Sequence, residues 1–398
     1  MKYKQRIVAV VFLMLVVPVA LRCVVGPKYF YWGIRWHLAE VDNLYGSDYF
    51  SAVRGGIEAG VYDRIPWNDE WMESYGVIQY FLNKKYIKGS HITDTVICLE
   101  NRYLTLASEA ESFSEVAPRM IQFNEFLSRK NIRFLYVQAP GKVCKTDPQL
   151  PRGAEDFTNR RADTLLQELN DAKVATLDLR DEFPRGGPDY YSLFYVGDLH
   201  WNTFGTLQAA QKTVAFINDR LDIKLDAEVF LPEKFSREDF SFRLAGGQRN
   251  RVGHFYTRPD SETLLLPLFP TQFTVKKEKE TIAVGSFEDI WVHRNNLMDT
   301  KECYQLYRNN KYGYSVNVIN EKTHSSARIF IVGDSFVWSF APFLSLSCKE
   351  CMSFGMGSRE SIKEAVEAYQ PDLVIFLYCP RLRKDILEAD YGEGSHGR

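Results

Sequence analysis

Apolar residues recur along this chain with two alternating periods. Val116, Met120, Phe123 and Leu127 fall on one face of a helix, and the strand-like run Ile132–Val137 follows. Ala162, Leu165, Leu166 and Leu169 mark a second amphipathic helix, followed by the run Val174–Leu179. Phe204, Leu207, Val214, Ile217 and Leu221 mark a third. Far downstream, Arg328–Val332 is rich in branched and aromatic residues and predicts a buried strand, and Phe336–Leu346 continues as an apolar, partly helical stretch. Ile362, Ala365, Val366 and Tyr369 mark a last helix before the strand-like Leu373–Tyr378. Spacings of three and four residues gather side chains on one helical face, whereas continuous apolar runs suit strands covered on both sides. The alternation predicts an α/β fold, a parallel sheet with helices on both faces.

The alternation stops at Asp222–Ser325, which holds a mixed charge run (Lys276-Lys277-Glu278-Lys279-Glu280) and Gly246-Gly247. This stretch is expected to be an insertion, a small subdomain of strands and loops that covers the site. Residues 28–98, with turns at Gly55-Gly56 and Gly60, read as an N-terminal extension. The expected division is therefore 1–27, 28–98, a first core segment 99–221, the insertion 222–325 and a second core segment 326–398. No internal repeat is visible.

At the N-terminus Lys2, Lys4 and Arg6 precede the apolar run Ile7–Leu21, and Ile7–Gly26 reaches about the length needed to span a bilayer if Arg22 snorkels to the interface. The basic start orients it with the N-terminus in the cytoplasm and the remainder outside. No small-x-small cleavage site is present, so an uncleaved single-pass anchor is expected, with a cleaved leader as the alternative. Lys plus Arg number 49 against 51 Asp plus Glu, which favours no nucleic-acid partner. The seven cysteines are odd in number and form no disulfide framework by spacing. Cys348 and Cys351 are a lone C-x-x-C, read as structural or as a local disulfide in an oxidising compartment. His254, His293 and His324 are dispersed, and no cluster has metal-ligand spacing, so neither metal nor cofactor is expected.

Two short motifs carry candidate chemistry. Asp198-Leu199-His200-Trp201 sets a carboxylate and an imidazole two residues apart, on one side of an extended backbone. Gly333-Asp334-Ser335-Phe336 follows the strand at 328–332, so Ser335 sits at a strand-to-helix turn with its hydroxyl exposed and backbone amides nearby. The carboxylate can orient the imidazole that deprotonates the serine. Each motif alone is compatible with an ordinary turn or surface pair; their joint occurrence within the α/β pattern gives them weight. Asp334 is expected to cap the following helix. Lys142, at a strand end in Pro140-Gly141-Lys142, is read either as a ligand for an acyl donor or acidic sugar or as an exposed loop lysine, and Trp201 either as a sugar-stacking or as a packing residue.

The motifs resemble those of the SGNH-hydrolase-like proteins that O-acetylate bacterial exopolysaccharides, the alginate acetylation type, and of the bacterial proteins named for an Asp-His-His-Trp motif. The resemblance covers roughly residues 99–215 and 326–385. It runs in order through Ile132–Gln138 with Ala139-Pro140-Gly141-Lys142, Pro148 to Pro151, Val174–Leu179, Tyr195–Trp201, Gly333–Phe336 and Pro371-Asp372-Leu373-Val374-Ile375. It implies an SGNH/flavodoxin-like sheet, with Ser335 as nucleophile, His200 as base and Asp198 as its partner. Leu199 departs from the Asp-His-His-Trp pattern, and the Gly and Asn that complete the oxyanion hole in SGNH enzymes are not assigned to particular residues here. The implied function is a membrane-anchored, extracytoplasmic O-acyltransferase, of the O-acetyl kind, acting on an exported or cell-surface polysaccharide. Relatives work with a multi-spanning membrane acyltransferase that supplies acyl groups, and the resemblance implies such a partner. A carbohydrate esterase with the same three residues, and an inactive scaffold or polysaccharide-binding component, are the alternatives. The topology is testable: protease added to intact spheroplasts should digest the Tyr45–Arg398 region, and protection of that region until lysis would overturn the orientation.

Overall fold

The computed structural model describes residues 68–88, 95–108, 115–244, 246–277, 280–294, 306–307, 316–354 and 361–381. The candidate anchor lies outside them. No helix among the described residues is long and apolar enough to cross a membrane. The chain divides into two compact units, Met1–Ile78 and Gln79–Arg398. Of the first, the described part is the beginning of the helix Asn68–Phe81. The second holds the sheets and the candidate site.

A three-stranded antiparallel sheet comes first: β1 (Tyr86–Lys88), β2 (Thr95–Cys98) and β3 (Leu104–Leu106). The predicted alternation then appears as β4 (Arg133–Gln138) after the helix Val116–Ser128, and β5 (Thr176–Asp178) after the helix Phe157–Asp171. The helix Thr203–Arg220 follows. Two strands form a ribbon, β6 (Phe235–Leu244) with β7 (Asp260–Pro267). The remaining strands are β8 (Phe273–Lys277), β9 (Glu280–Gly285), β10 (Val316–Asn320), β11 (Arg328–Gly333), β12 (Glu350–Phe354) and β13 (Leu373–Tyr378), with helices at Val337–Ser345 and Ile362–Tyr369.

The main sheet has eight strands in the order β5-β4-β13-β11-β12-β10-β8-β9. The first five are parallel, and β10, β8 and β9 extend them antiparallel. The stretch 222–325 is therefore not a subdomain apart from the core, because three of its strands are hydrogen-bonded into the main sheet. The α/β fold with a parallel-rich sheet agrees with the sequence pattern, and β12 is an additional parallel strand.

Strand periodicity sorts the core into two layers. Leu135 and Val137 of β4, Ile329 and Ile331 of β11, and Leu373, Ile375 and Leu377 of β13 join one cluster, which also takes Ala209, Val214 and Ile217 from helix Thr203–Arg220 and Phe340 and Leu344 from helix Val337–Ser345. The alternate residues Phe134, Tyr136, Phe330, Val332, Val374, Phe376 and Tyr378 join the other, with Val116, Met120, Phe123, Leu165, Leu169, Ile362 and Val366 from the helices Val116–Ser128, Phe157–Asp171 and Ile362–Tyr369. Successive strand side chains point to opposite faces, so one buried strand feeds both layers.

Phe376 stands at the centre of the second layer. Its ring stacks on Phe123 at 5.3 Å and meets Phe134 edge-on at 5.0 Å. Replacing it by Ala removes those contacts and leaves a cavity. Phe376→Ala should lower the unfolding free energy by about 3–5 kcal/mol in urea titration, and a loss below about 1 kcal/mol would contradict this packing.

Candidate functional site

The site lies at the carboxyl ends of the central strands, where open α/β sheets bind ligands. β11 ends at Gly333, and a side chain there is impossible: an added Cβ would lie 2.0 Å from the Leu377 carbonyl oxygen and 2.5 Å from Val337 Cγ2. Glycine thus lets the turn that carries Ser335 press against β13. Asp334 fastens the same turn. One of its carboxylate oxygens accepts from the Phe336 amide at 3.0 Å, and the other from the Cys379 amide at 2.8 Å, just past β13. The helix Val337–Ser345 has no side-chain cap, so Asp334 joins two strand ends rather than capping the helix as expected. Burial raises the Asp334 carboxyl, opposed by those hydrogen bonds.

The three candidate residues form one hydrogen-bonded chain. His200 Nδ1 lies 2.6 Å from Asp198 Oδ1, and His200 Nε2 lies 2.7 Å from Ser335 Oγ. Asp198 Oδ1 also accepts from the His200 amide at 3.1 Å, and Oδ2 from the Gly247 amide at 2.8 Å. Burial works against ionisation of Asp198, yet the charge and hydrogen bonds of His200, with the Gly247 amide, hold its carboxyl well below the usual range. An ionised Asp198 draws the imidazole proton to Nδ1, which leaves the Nε2 lone pair facing the serine hydroxyl. The geometry can move a proton from Ser335 Oγ to His200 and stabilise the resulting imidazolium.

The loop that carries Asp198 and His200 is held from all sides. Phe194 and Trp201 form an isolated antiparallel bridge across it, and the Tyr195 amide donates to the His200 carbonyl at 3.2 Å. Asp260 in β7 accepts from the consecutive amides of Val196 and Gly197, at 2.5 and 2.8 Å. Two positions on, Glu262 accepts from the Tyr195 hydroxyl, from Thr203 Oγ1 at 3.0 Å and from the Thr263 amide at 3.0 Å. The Gly246-Gly247 turn closes the far side, where the Gln248 and Arg249 amides both donate to the Gly197 carbonyl at 3.0 Å. Gly246 adopts φ +63°, and a Cβ there would sit 2.6 Å from the Gly197 carbonyl, so only glycine allows this approach.

These supports lie within 222–325, and the reading of the motifs did not include them. Their signals were present: a Gly-Gly pair, and two acidic residues at alternate positions just before Leu264-Leu265-Leu266, which share one face of a strand. Burial raises the Asp260 carboxyl, opposed by the Val196 and Gly197 amides and by Lys142. Burial pushes Glu262 up to about 7, opposed by the Tyr195, Thr263 and Thr203 hydrogen bonds.

Two residues considered as substrate ligands have other work. Lys142 is buried, and its ammonium donates to the carbonyls of Leu104 at 2.6 Å and Val196 at 2.9 Å, which ties β3 to the histidine loop. A lysine at a strand end has reach enough to turn inward, and two carbonyls satisfy it there. Trp201 is 1% exposed; its indole Nε1 donates to Ser339 Oγ at 2.9 Å and its ring meets Phe336 at 4.9 Å. It bolts the histidine loop to the helix after Ser335, and no face is open for a sugar.

A recess of about 40 Å³ is lined by Lys142, Leu199, Phe336, Cys379 and Pro380, with neither His200 nor Ser335 in its wall. A larger cleft of about 620 Å³ borders Tyr195 and Val196 and contains neither His200 nor Ser335. Among the described residues no group of His, Cys, Asp and Glu has the arrangement of a metal site. Cys98, Cys144, Cys348, Cys351 and Cys379 are free and buried, and the Cys351 hydrogen bond, with burial, places the Cys348 thiol well above its usual range.

Residues 99–240 match the family model of the SGNH hydrolase-like domain of the acetyltransferase AlgX. Over that span the chain is similar to an SGNH hydrolase-like domain of the acetyltransferase kind, the resemblance the motifs suggested. The matched span includes Asp198 and His200 and ends before Ser335. No curated protein matches the chain. Among solved structures, PatB1 of Bacillus cereus is similar with a TM-score of 0.61 at 16% identity, covering 72% of this chain and 96% of its own. A DHHW family protein from Eubacterium siraeum is similar with a TM-score of 0.54 at 14% identity, covering 78% and 100%. At these identities the likeness is one of fold.

Glu262 gives the site a pH signature. A carboxyl near 7 in the folded state and near its ordinary value of 4.5 when unfolded binds its proton more tightly in the native chain. Its contribution to stability is therefore fully present below the unfolded value and is lost as pH rises toward about 7. Glu262→Gln abolishes that titration. Unfolding measured at pH 5, 6 and 7.5 should show the variant gaining on wild type as pH rises, by up to roughly 3 kcal/mol. Parallel pH profiles would mean that Glu262 is already ionised in the native chain at pH 5.

Proposed function

We propose that this chain is an extracytoplasmic O-acyltransferase, of the O-acetyl kind, that modifies an exported or cell-surface polysaccharide through an acyl-serine intermediate. The observation that carries this reading is the continuous chain from Asp198 through His200 to Ser335 at the carboxyl end of the sheet. His200 Nε2 takes the Ser335 hydroxyl proton while Oγ attacks the acyl carbonyl. The donor's leaving oxygen then takes that proton and departs, leaving an ester on Ser335. A sugar hydroxyl, deprotonated by the same Nε2, attacks the ester, and Ser335 Oγ recovers the proton as it leaves. Asp198 stays ionised throughout and steadies the imidazolium.

The apolar run Ile7–Gly26 holds the protein to the membrane with its catalytic unit outside the cytoplasm. Cytoplasmic acyl thioesters are then out of direct reach, so a multi-spanning membrane protein must deliver the acyl group. This part of the reading rests on the sequence pattern and on the family resemblance.

The test is a labelling experiment. The purified chain is incubated with 4-nitrophenyl acetate, alone and with oligosaccharide, and label is followed onto protein, sugar and water. Ser335→Ala should lose acyl-protein labelling by at least about a thousandfold with an unchanged circular dichroism spectrum. If the variant labels like wild type, the nucleophile is another residue. If label passes to water as fast with saturating oligosaccharide as without it, the protein is an esterase.

A further inference from the structure

The end of the helix Asn68–Phe81 and the turn before Tyr256 place large apolar side chains together in solvent. Phe81 is 74% exposed, Leu82 62% and Phe255 52%. They form a patch rather than scattered residues: the Phe81 and Phe255 rings lie 6.0 Å apart, and Tyr80 meets Phe255 edge-on at 5.0 Å. Isolated exposed apolar residues are ordinary, whereas a contiguous aromatic patch marks an interaction surface.

This patch is rigidly mounted. Tyr256, buried behind it, packs on Tyr80 at 5.9 Å, and its hydroxyl donates to the Lys84 carbonyl at 3.0 Å. The Arg102 guanidinium covers the Tyr80 ring at 5.2 Å. The rings are held outward by a packed base, so their exposure is part of the folded structure. The segment that follows the rings is basic. Gln79–Lys88 carries Lys84, Lys85 and Lys88 and no acidic residue. The acid facing this group is Glu100, which pairs with Lys85 at 3.2 Å.

Aromatic rings flanked by lysines on a fixed surface match one environment well, the interface of a bilayer that contains anionic phospholipid. Rings settle at the level of the headgroups and lysines meet the surface charge. Chain continuity agrees, since only residues 27–78 separate the apolar run ending at Gly26 from this patch. We propose that Phe81, Leu82 and Phe255, with Lys84, Lys85 and Lys88, dock the second unit on anionic phospholipid headgroups. The inference rests on the reading that the protein works at a membrane surface, and it adds a second, reversible point of contact to the anchor.

The experiment puts photoreactive benzoylphenylalanine at position 81 or 255 of the full-length chain in membranes of the expressing cells, with position 268 as a control, since Leu268 is 65% exposed. After irradiation, mass spectrometry should find phospholipid adducts at 81 and 255 at several times the yield at 268. Changing Lys84, Lys85 and Lys88 together to Gln should cut that yield severalfold while serine labelling by 4-nitrophenyl acetate stays unchanged. Adducts to polypeptide alone, or no excess over position 268, overturn the proposal. If fractionation finds the chain free of the membrane, the anchor reading has failed. The same photoreactive protein is then mixed with vesicles of phosphatidylglycerol and phosphatidylcholine, or of phosphatidylcholine alone. Adducts confined to the phosphatidylglycerol vesicles still support the patch, and none in either overturns it.

Discussion

The structure around the site depends on keeping one carboxylate ionised where water does not reach it. Asp198 is buried, and an unpaired buried charge either costs several kcal/mol or takes up a proton. Here it has three donors: the His200 imidazole, the His200 amide and the Gly247 amide. Meeting that demand requires the Gly246-Gly247 turn to approach within van der Waals limits. It also requires the histidine loop to keep its shape, which Asp260, Glu262 and Lys142 enforce through its amides, a hydroxyl and a carbonyl. The reactive serine is tied in by a different constraint, the tight packing of Gly333 against β13.

The supports differ in kind from the site they serve. Asp198 is charged; Asp260 and Glu262, a short distance behind it, have their carboxyls pushed upward by burial. Three ionised carboxylates grouped around one loop would repel each other, and raising two of them eases that conflict. Both carboxyls accept hydrogen bonds from the loop's amides and hydroxyls, so they brace it from behind while Asp198 faces the imidazole. Lys142 adds positive charge on the same side and is satisfied by two carbonyls.

Much of this was legible in the sequence, for physical reasons that also mark its limits. Helices with one apolar face and strands buried on both sides write their period directly into the chain, so 116–127, 162–169, 204–221 and 362–378 read correctly. The Asp-x-His and Gly-Asp-Ser motifs were legible because their chemistry depends on short local spacing. The stretch 222–325 was not: β8, β9 and β10 are short, partly exposed and secured by pairing with distant strands, which no local pattern records. Burial of long polar side chains was equally hidden. Nothing adjacent to Lys142 or Trp201 reveals that carbonyls and a serine hydroxyl elsewhere in the chain satisfy them. The side-chain role of Asp334 likewise turned on the amide of Cys379, 45 positions away.

The place of β13 has a consequence for how the protein comes into being. This strand is among the last described segments of the chain, yet it lies between β4 and β11 near the middle of the sheet. During synthesis from the N-terminus, β4 and β11 emerge with the slot between them empty. The serine turn then lacks the wall against which Gly333 packs and the Cys379 amide that holds Asp334. The nascent chain therefore stays open along its central seam, without a finished nucleophile, until β13 has been made and inserted. Reactivity is in effect withheld until that one strand closes the sheet.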